Sequence, residues 1–228
     1  MDHCLDIQAR LKQLKSKLPS TVSLVAVTKY SPFEDIKCAY QAGHRDFGEN
    51  RVDSLIEKAK LAIDSGMNDI RWHFIGHLQS NKINKLATVP QLFSIHSVDN
   101  LDLLQNLIKR QEQFLSATKI FLEINTSGEE EKGGFRHLSE IKEAAQMLLQ
   151  EGQRFSFFGL MTMATIRTDD VLAEAERCFS QLRSTRDYLE SQMNISLKLS
   201  MGMSGDYSVA LKEGTDFIRV GTAIFKGE

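Results

Sequence analysis

Lys29 closes a short apolar run, Ser23-Leu-Val-Ala-Val-Thr-Lys29, and Tyr30-Ser31-Pro32 follows it. Leu24, Val25, Ala26 and Val27 suit a buried strand. Pro32 opens a helix at a position where a missing N–H costs little. An amine where a buried strand meets its loop is, taken alone, an ordinary solvated lysine, because burying an ammonium is expensive. Two later stretches change its meaning. Met203-Ser-Gly-Asp206 and Val220-Gly-Thr222 carry glycines that let backbone approach an anion, hydroxyls at Ser204 and Thr222, and a helix start at Asp206. Each alone reads as a loop glycine with a capping hydroxyl. Opposite a lysine, the two together form a phosphate site facing an amine. That pairing suits a Schiff base with a phosphorylated aldehyde, for which the attacking amine must be neutral. Arg219 lies between the two loops in sequence, and its ordinary reading is an ion pair with Asp216 or Glu213.

Positioning these residues requires strands that end in one place. Apolar runs at 23–29, 46–50, 71–76, 92–98, 119–125, 155–163, 197–203 and 217–225 alternate with helical segments. Alternation at this period indicates parallel βαβ units. Eight of them close a (β/α)8 TIM barrel, an α/β fold whose functional residues sit at the C-terminal strand ends. An open doubly wound sheet would show a Gly-rich turn after the first strand, where this chain has Lys29-Tyr-Ser-Pro. Strand parity then selects what faces inward. The inward set at the upper rim is Lys29, Asn50, His73, Ser204, Arg219 and Gly221. Over 197–203, Lys198, Ser200 and Gly202 share the inward parity and Leu197, Leu199, Met201 and Met203 face the helices, as Ile218 and Val220 do on the last strand.

The chain of 228 residues is read as one domain, 1–228, with an extra N-terminal helix over 1–18 that Pro19 ends. Hydrophobic residues at 42% and charged residues at 25% match a globular protein. A net charge of −2 argues against nucleic acid as a partner, and no apolar run is long enough for a membrane span. Cys4, Cys38 and Cys178 are odd in number and widely spaced, which fits reduced thiols in a cytoplasm. The N-terminus lacks the basic and apolar regions of a signal peptide.

Several blocks together carry a resemblance: Val27-Thr-Lys29, Asp46-Phe-Gly-Glu-Asn50, Trp72-His-Phe-Ile-Gly-His-Leu-Gln-Ser-Asn-Lys82, Gly159-Leu-Met161, Ser200-Met-Gly-Met-Ser-Gly-Asp206 and Arg219-Val-Gly-Thr-Ala-Ile-Phe225. In this order they resemble the pyridoxal-phosphate homeostasis protein (YggS/PROSC) family, over nearly the whole chain. That family is similar to the barrel domain of alanine racemases. The resemblance implies that Lys29 carries pyridoxal 5'-phosphate as a Schiff base and that Arg219 faces the pyridine nitrogen. It implies that Ser204, Gly221 and Thr222 hold the phosphate, and that Asn50 and His73 line the ring's surroundings. His77 stands where many members have proline, and Gly205 where many have an acidic residue or asparagine; neither is expected to contact the ring.

Other candidates are bland. His73 and His77 lie on a strand and its loop, not on one helix face, so a zinc pair is not expected. Lys82 and Lys85 read as a solvated helix face or a second anion site, and Glu129-Glu-Glu131 as a solvated loop. His96 is either a rim residue or a packed one. The methionines at 161, 163, 201 and 203 read as packing.

Three functions remain open to the residues. The first is a carrier that holds and delivers pyridoxal 5'-phosphate, with PLP-dependent apo-enzymes as recipients and a monomer as its form. The second is a small amino-acid racemase. The third is a barrel lyase or isomerase acting on a phosphorylated aldehyde or ketone. The racemase reading needs a second base; alanine racemases use a tyrosine brought by a second domain of a partner subunit, and with the chain ending three residues after Phe225 no such domain is expected.

Overall fold

The computed structural model describes residues 3–165 and 167–227. The strands are β1 (Ser23–Val27), β2 (Asp46–Glu49), β3 (Arg71–Phe74), β4 (Leu92–Val98), β5 (Thr118–Glu123), β6 (Phe155–Met161), β7 (Lys198–Ser200) and β8 (Phe217–Val220). All pair in parallel with their sequence neighbours, and β8 returns to β1 through Ser23↔Phe217 to Ala26↔Val220, closing the barrel. The helices are α1 (His3–Lys15), α2 (Phe33–Gln41), α3 (Val52–Asp64), α4 (Ile83–Ala87), α5 (Leu101–Ile108), α6 (Leu138–Glu151), α7 (Val171–Met193), α8 (Tyr207–Lys212) and α9 (Thr222–Phe225).

Local sequence explains where these elements stop. The Asn100 side chain accepts from Leu103 N at 2.8 Å and starts α5, as the Asp170 carboxylate accepts from Ala173 N and starts α7. α7 ends where Asn194 takes a left-handed conformation, φ 51°. β7 is cut short because Gly202 turns to φ +96° and packs so closely on α8 that a Cβ there would meet Ala210 Cβ at 2.6 Å.

Alternation along the strands sorts the core into two layers. Leu24, Ala26, Phe47, Trp72, Phe74, Leu199, Ile218 and Val220 pack outward beneath the helices. Val25, Phe121, Met161 and Phe217, with Phe158, fill the barrel interior. The expected parity of β1 and β8 therefore holds, as does that of the seventh strand through Met201; beyond it the turn at Gly202 reverses the alternation, so that Gly202 packs on α8 and Met203 lines the barrel mouth.

Two expectations are corrected here. The last strand ends at Val220 instead of running to Phe225, because Ile224 and Phe225 N–H groups turn back to Gly221 O at 3.0 Å and form α9. Cys4 and Cys38, expected as reduced thiols, are joined in a disulfide with Cα atoms 5.3 Å apart, leaving Cys178 as the buried free thiol. The bond ties α1 to α2, and Arg10 Nε donates to Ile224 O at 2.7 Å, tying α1 to α9. Among the described residues no helix is long and apolar enough to cross a membrane.

Candidate functional site

A cavity of ≈480 Å³ opens at the C-terminal ends of the strands. Six of the seven residues expected to act together line it: Lys29, Asn50, Ser204, Arg219, Gly221 and Thr222. Each arrives from a strand end. Lys29 follows β1 by two residues and is exposed. Its Nζ lies 5.0 Å from the Tyr30 ring centroid. Asn50 follows β2, and its Oδ1 is buried without a hydrogen-bond partner. A buried polar oxygen left open is costly unless something else supplies the donor. Ser204 and Thr222, from the loops after β7 and β8, face each other with hydroxyl oxygens 3.3 Å apart. At Gly221 a Cβ would meet Val27 O at 2.9 Å, so only glycine brings this loop so close to β1.

Arg219 forms the floor. It pairs with neither Asp216 nor Glu213, which are taken by Lys198 at 2.8 Å and Arg183 at 3.1 Å. Its guanidinium donates to Ser200 Oγ at 2.7 Å and Thr162 O at 2.9 Å. Burial pushes its pKa down to about 10, against the nearby carboxylates of Glu123 and Asp206, so it stays charged near neutral pH. Burial in turn raises Asp206. Burial and the neighbouring Asp99 push Glu123 up to about 7, against Arg219 and Lys132.

His73 is the exception. It is fully buried below the mouth, where Nε2 meets Asp46 Oδ1 at 3.0 Å and Nδ1 meets Ser94 Oγ at 2.7 Å. The inward parity is right and the height is wrong: His73 pairs in register with Gly48, two residues before Asn50. His96 is packed in the same interior, 3.2 Å from His73 and with Nδ1 2.9 Å from Ser200 Oγ. Burial lowers both imidazoles, with Asp46 opposing this at His73.

The remaining candidates resolve as follows. Lys82 and Lys85 both pair with Asp53, at 2.9 and 3.0 Å. Glu129 pairs with Lys132, and Glu131 with Arg167 at 3.0 Å. His77 turns to Asp99 at 3.3 Å, away from His73, and among the described residues no group could hold a metal. Met163 and Met203 line the cavity, as do Ile75, Phe225 and Lys226. His77 and Gly205, set aside in the sequence, line it too. Lys226 had no signal in the sequence, because it was assigned beyond the last strand.

The site is thus the mouth of a closed parallel eight-stranded barrel, with an amine, an arginine floor and a hydroxyl-lined glycine cradle, and that frame defines the class of barrels it resembles. Residues 4–228 match the alanine racemase, N-terminal domain family. The alanine racemase of E. faecalis superposes with a TM-score of 0.76 at 17% identity, over 97% of this chain and 57% of that one, and so shares the fold. Within the class the relatives are more specific. The pyridoxal phosphate homeostasis protein of Schizosaccharomyces pombe is 38% identical over 97% of this chain and 90% of its own length. The human protein of the same name is 36% identical over 96% of this chain and 83% of its own. PipY of Synechococcus elongatus, solved with PLP bound, superposes with a TM-score of 0.85 at 36% identity, over 96% of this chain and 99% of that one. The chain belongs to the pyridoxal phosphate homeostasis protein family.

Proposed function

We propose that this protein holds pyridoxal 5'-phosphate in the barrel mouth, attached at Lys29, and makes it available to other proteins without a dedicated reaction of its own. The observation that carries this is the meeting in one cavity of Lys29, the unpartnered Asn50 oxygen, the buried Arg219 and the Ser204–Thr222 hydroxyl pair. These groups fit the cofactor. When bound, it supplies an aldehyde that condenses with an amine and releases water. Lys29 Nζ is the amine. Ser204 and Thr222 donate to the phosphate, and Gly221 leaves the space it needs. Arg219 faces the ring nitrogen as a fixed cation, and Asn50 offers an acceptor beside the ring. His73 lies below the ring's surroundings and holds the barrel interior. A relative 36% identical to this chain was solved with PLP bound, which supports the choice of ligand.

The racemase reading is weaker. Racemisation needs a base on each face of the substrate. Among the described residues lining the mouth, the tyrosine is Tyr30, which stands beside Lys29 and not across from it. Arg219 has no titrating proton to offer near neutral pH. The carrier reading further takes the protein to be a cytoplasmic monomer, one domain over 1–228, that serves PLP-dependent apo-enzymes. Cell fractionation, light scattering and transfer to an apo-transaminase test these parts of the reading.

The deciding experiment is a visible spectrum of the purified protein with pyridoxal 5'-phosphate, before and after borohydride, followed by peptide mapping. Label at Lys29 is expected. Label on another lysine, or no band, overturns the assignment. Sustained alanine racemisation near ~1 per second would favour the enzyme reading.

A further inference from the structure

Behind the mouth, on the opposite face of the same two strands, lies a buried ionic cluster that no step of the cofactor assignment uses. Glu49 is fully buried at a helix-facing position of β2, and Lys58 is buried on the apolar stripe of α3 between Leu55 and Ala62. Charged residues are rare in such places, because each must give up its hydration. Their partners show what they hold. Glu49 Oε1 accepts from Lys58 Nζ and, at 3.0 Å, from Thr28 Oγ1. Glu49 Oε2 accepts from Asn50 N at 3.1 Å. Lys58 Nζ donates to Thr28 O at 2.7 Å. The same Thr28 O accepts from Ser31 N at 2.9 Å, closing the turn that contains Lys29 and Tyr30. Asn50 is also fixed from its other side, since a Cβ on Gly76 would meet Asn50 O at 2.0 Å.

Successive residues of an extended chain point to opposite faces. Thr28 and Glu49 therefore face α3 while their neighbours Lys29 and Asn50 face the mouth. We propose that the Glu49–Lys58 pair, acting through Thr28, is the positioning element that presets the Lys29 amine for attack on the cofactor aldehyde and fixes Asn50 beside it. The inference rests on Lys29 being the attachment point. In the step itself, the Nζ–C bond forms, the carbonyl oxygen leaves as water with the two amine protons, and nothing is oxidised or reduced. Lys29 is exposed, so the placement of its backbone is what the protein controls. Glu49 and Lys58 are positioning residues, not catalytic ones.

The test separates placement from folding and from binding. Lys58→Met alone leaves a buried carboxylate without its cation and is expected to destabilise the fold. The informative variant is Glu49→Leu with Lys58→Met, which removes both charges and fills the layer with apolar side chains. It is compared with wild type as full-length protein freed of cofactor. Affinity for pyridoxine 5'-phosphate, which has an alcohol in place of the aldehyde, reports binding without attachment. Stopped-flow growth of the visible band with pyridoxal 5'-phosphate reports attachment. The double variant is expected to bind the alcohol within about threefold of wild type and to attach the aldehyde about 10- to 100-fold more slowly, the cost of a misplaced reacting group. Thr28→Val, nearly equal in volume, is expected to slow attachment several-fold with the fold intact, and it decides the matter if the double variant does not fold. Wild-type attachment rates, or an equal loss of alcohol binding and attachment, would overturn the proposal. A wild-type protein that forms no band, or a Lys29→Ala protein that still forms one, would instead overturn the cofactor assignment beneath it.

Discussion

The lower interior of the barrel and its mouth both carry inward-facing polar side chains, and their hydrogen bonds are completed differently. In the lower interior a chain of polar groups from Asp46 to Arg219 is hydrogen-bonded throughout among the described residues; Lys119, set over the Phe93 and Phe158 rings, stands outside that chain. Asp46 accepts from Arg71 at 2.7 and 2.5 Å and from His73 at 3.0 Å. His73 continues to Ser94 and His96, His96 to Ser200, and Ser200 to Arg219. Burial opposes the Asp46 charge, yet the bonds from His73 and Arg71 outweigh it and hold its pKa down at about 2. In the mouth the set is open. The Lys29 ammonium meets the Tyr30 ring, and makes no hydrogen bond or ion pair among the described residues. Asn50 Oδ1 has no donor, and Ser204 and Thr222 have little beyond each other. Closed networks hold a structure together, whereas open ones are available to a ligand. The two regions should therefore respond to mutation in opposite ways.

The largest effect expected is at Lys29. Lys29→Ala should abolish the covalent visible band with pyridoxal 5'-phosphate altogether. Because the side chain is exposed, unfolding in urea should shift by less than about 0.5 kcal/mol. A band that survives would place the attachment elsewhere, with Lys82 the next candidate to mutate. The second effect is also confined to the mouth. Ser204→Ala with Thr222→Val should weaken pyridoxal 5'-phosphate by roughly tenfold or more per donor, since a hydrogen bond to a charged group contributes about 1.5–3 kcal/mol. Unphosphorylated pyridoxal should be nearly unaffected. Calorimetry with both ligands checks this, and equal losses would remove these hydroxyls from the phosphate site.

His73 shows how far strand parity reaches. Parity placed Lys29, Asn50, Ser200 and Arg219 on the inner face correctly, because a strand's side-chain period is 2 and the apolar partners Leu24, Ala26, Leu199 and Ile218 fix its phase. Parity says nothing of height. His73 and Ile75 share a face, yet Ile75 lines the mouth while His73 lies below it. Height depends on the stagger between strands, which is set by pairing such as Gly48↔His73 and cannot be read from one strand. The same limit left His96 undecided. The Cys4–Cys38 bond was missed because thiol counting carries no information on which helices lie side by side. Glu49 and Lys58 did leave a signal, a carboxylate at helix-facing parity and a lysine inside an apolar stripe, which only gains meaning once α3 is laid against β1 and β2.

A smaller effect, and opposite in kind, is expected at His73. His73→Ala leaves Asp46, Ser94 and His96 each short of a partner and opens a cavity in the interior. Stability should fall by about 3 kcal/mol. Affinity for pyridoxal 5'-phosphate should change less than threefold in whatever fraction remains folded. Urea unfolding followed by ligand titration reads both. A loss of affinity exceeding the loss of stability would return His73 to the site and dissolve the distinction between the two regions.

The smallest effect tests the boundary between them. Glu123 shares the inward parity of Phe121 at the top of β5, near Arg219 and Asp99. Its carboxyl, raised from 4.5 to about 7 by burial and by Asp99, is a group the fold prefers neutral. The sign follows from linkage. A raised carboxyl contributes stability that is fully present below the unfolded value, near 4.5, and lost as pH rises through about 7. Glutamine keeps the neutral shape at every pH. Glu123→Gln should therefore match wild type within about 0.5 kcal/mol at pH 4 and exceed it by on the order of 2 kcal/mol at pH 8. The histidines of the interior titrate in both proteins and cancel in the difference. Urea unfolding of the pair at the two pH values is the measurement. If the glutamine variant is instead the less stable at pH 8, ionised Glu123 is holding Arg219 more strongly than burial and Asp99 oppose it. Glu123 would then belong to the closed network below, and the open set in the mouth would begin one layer higher.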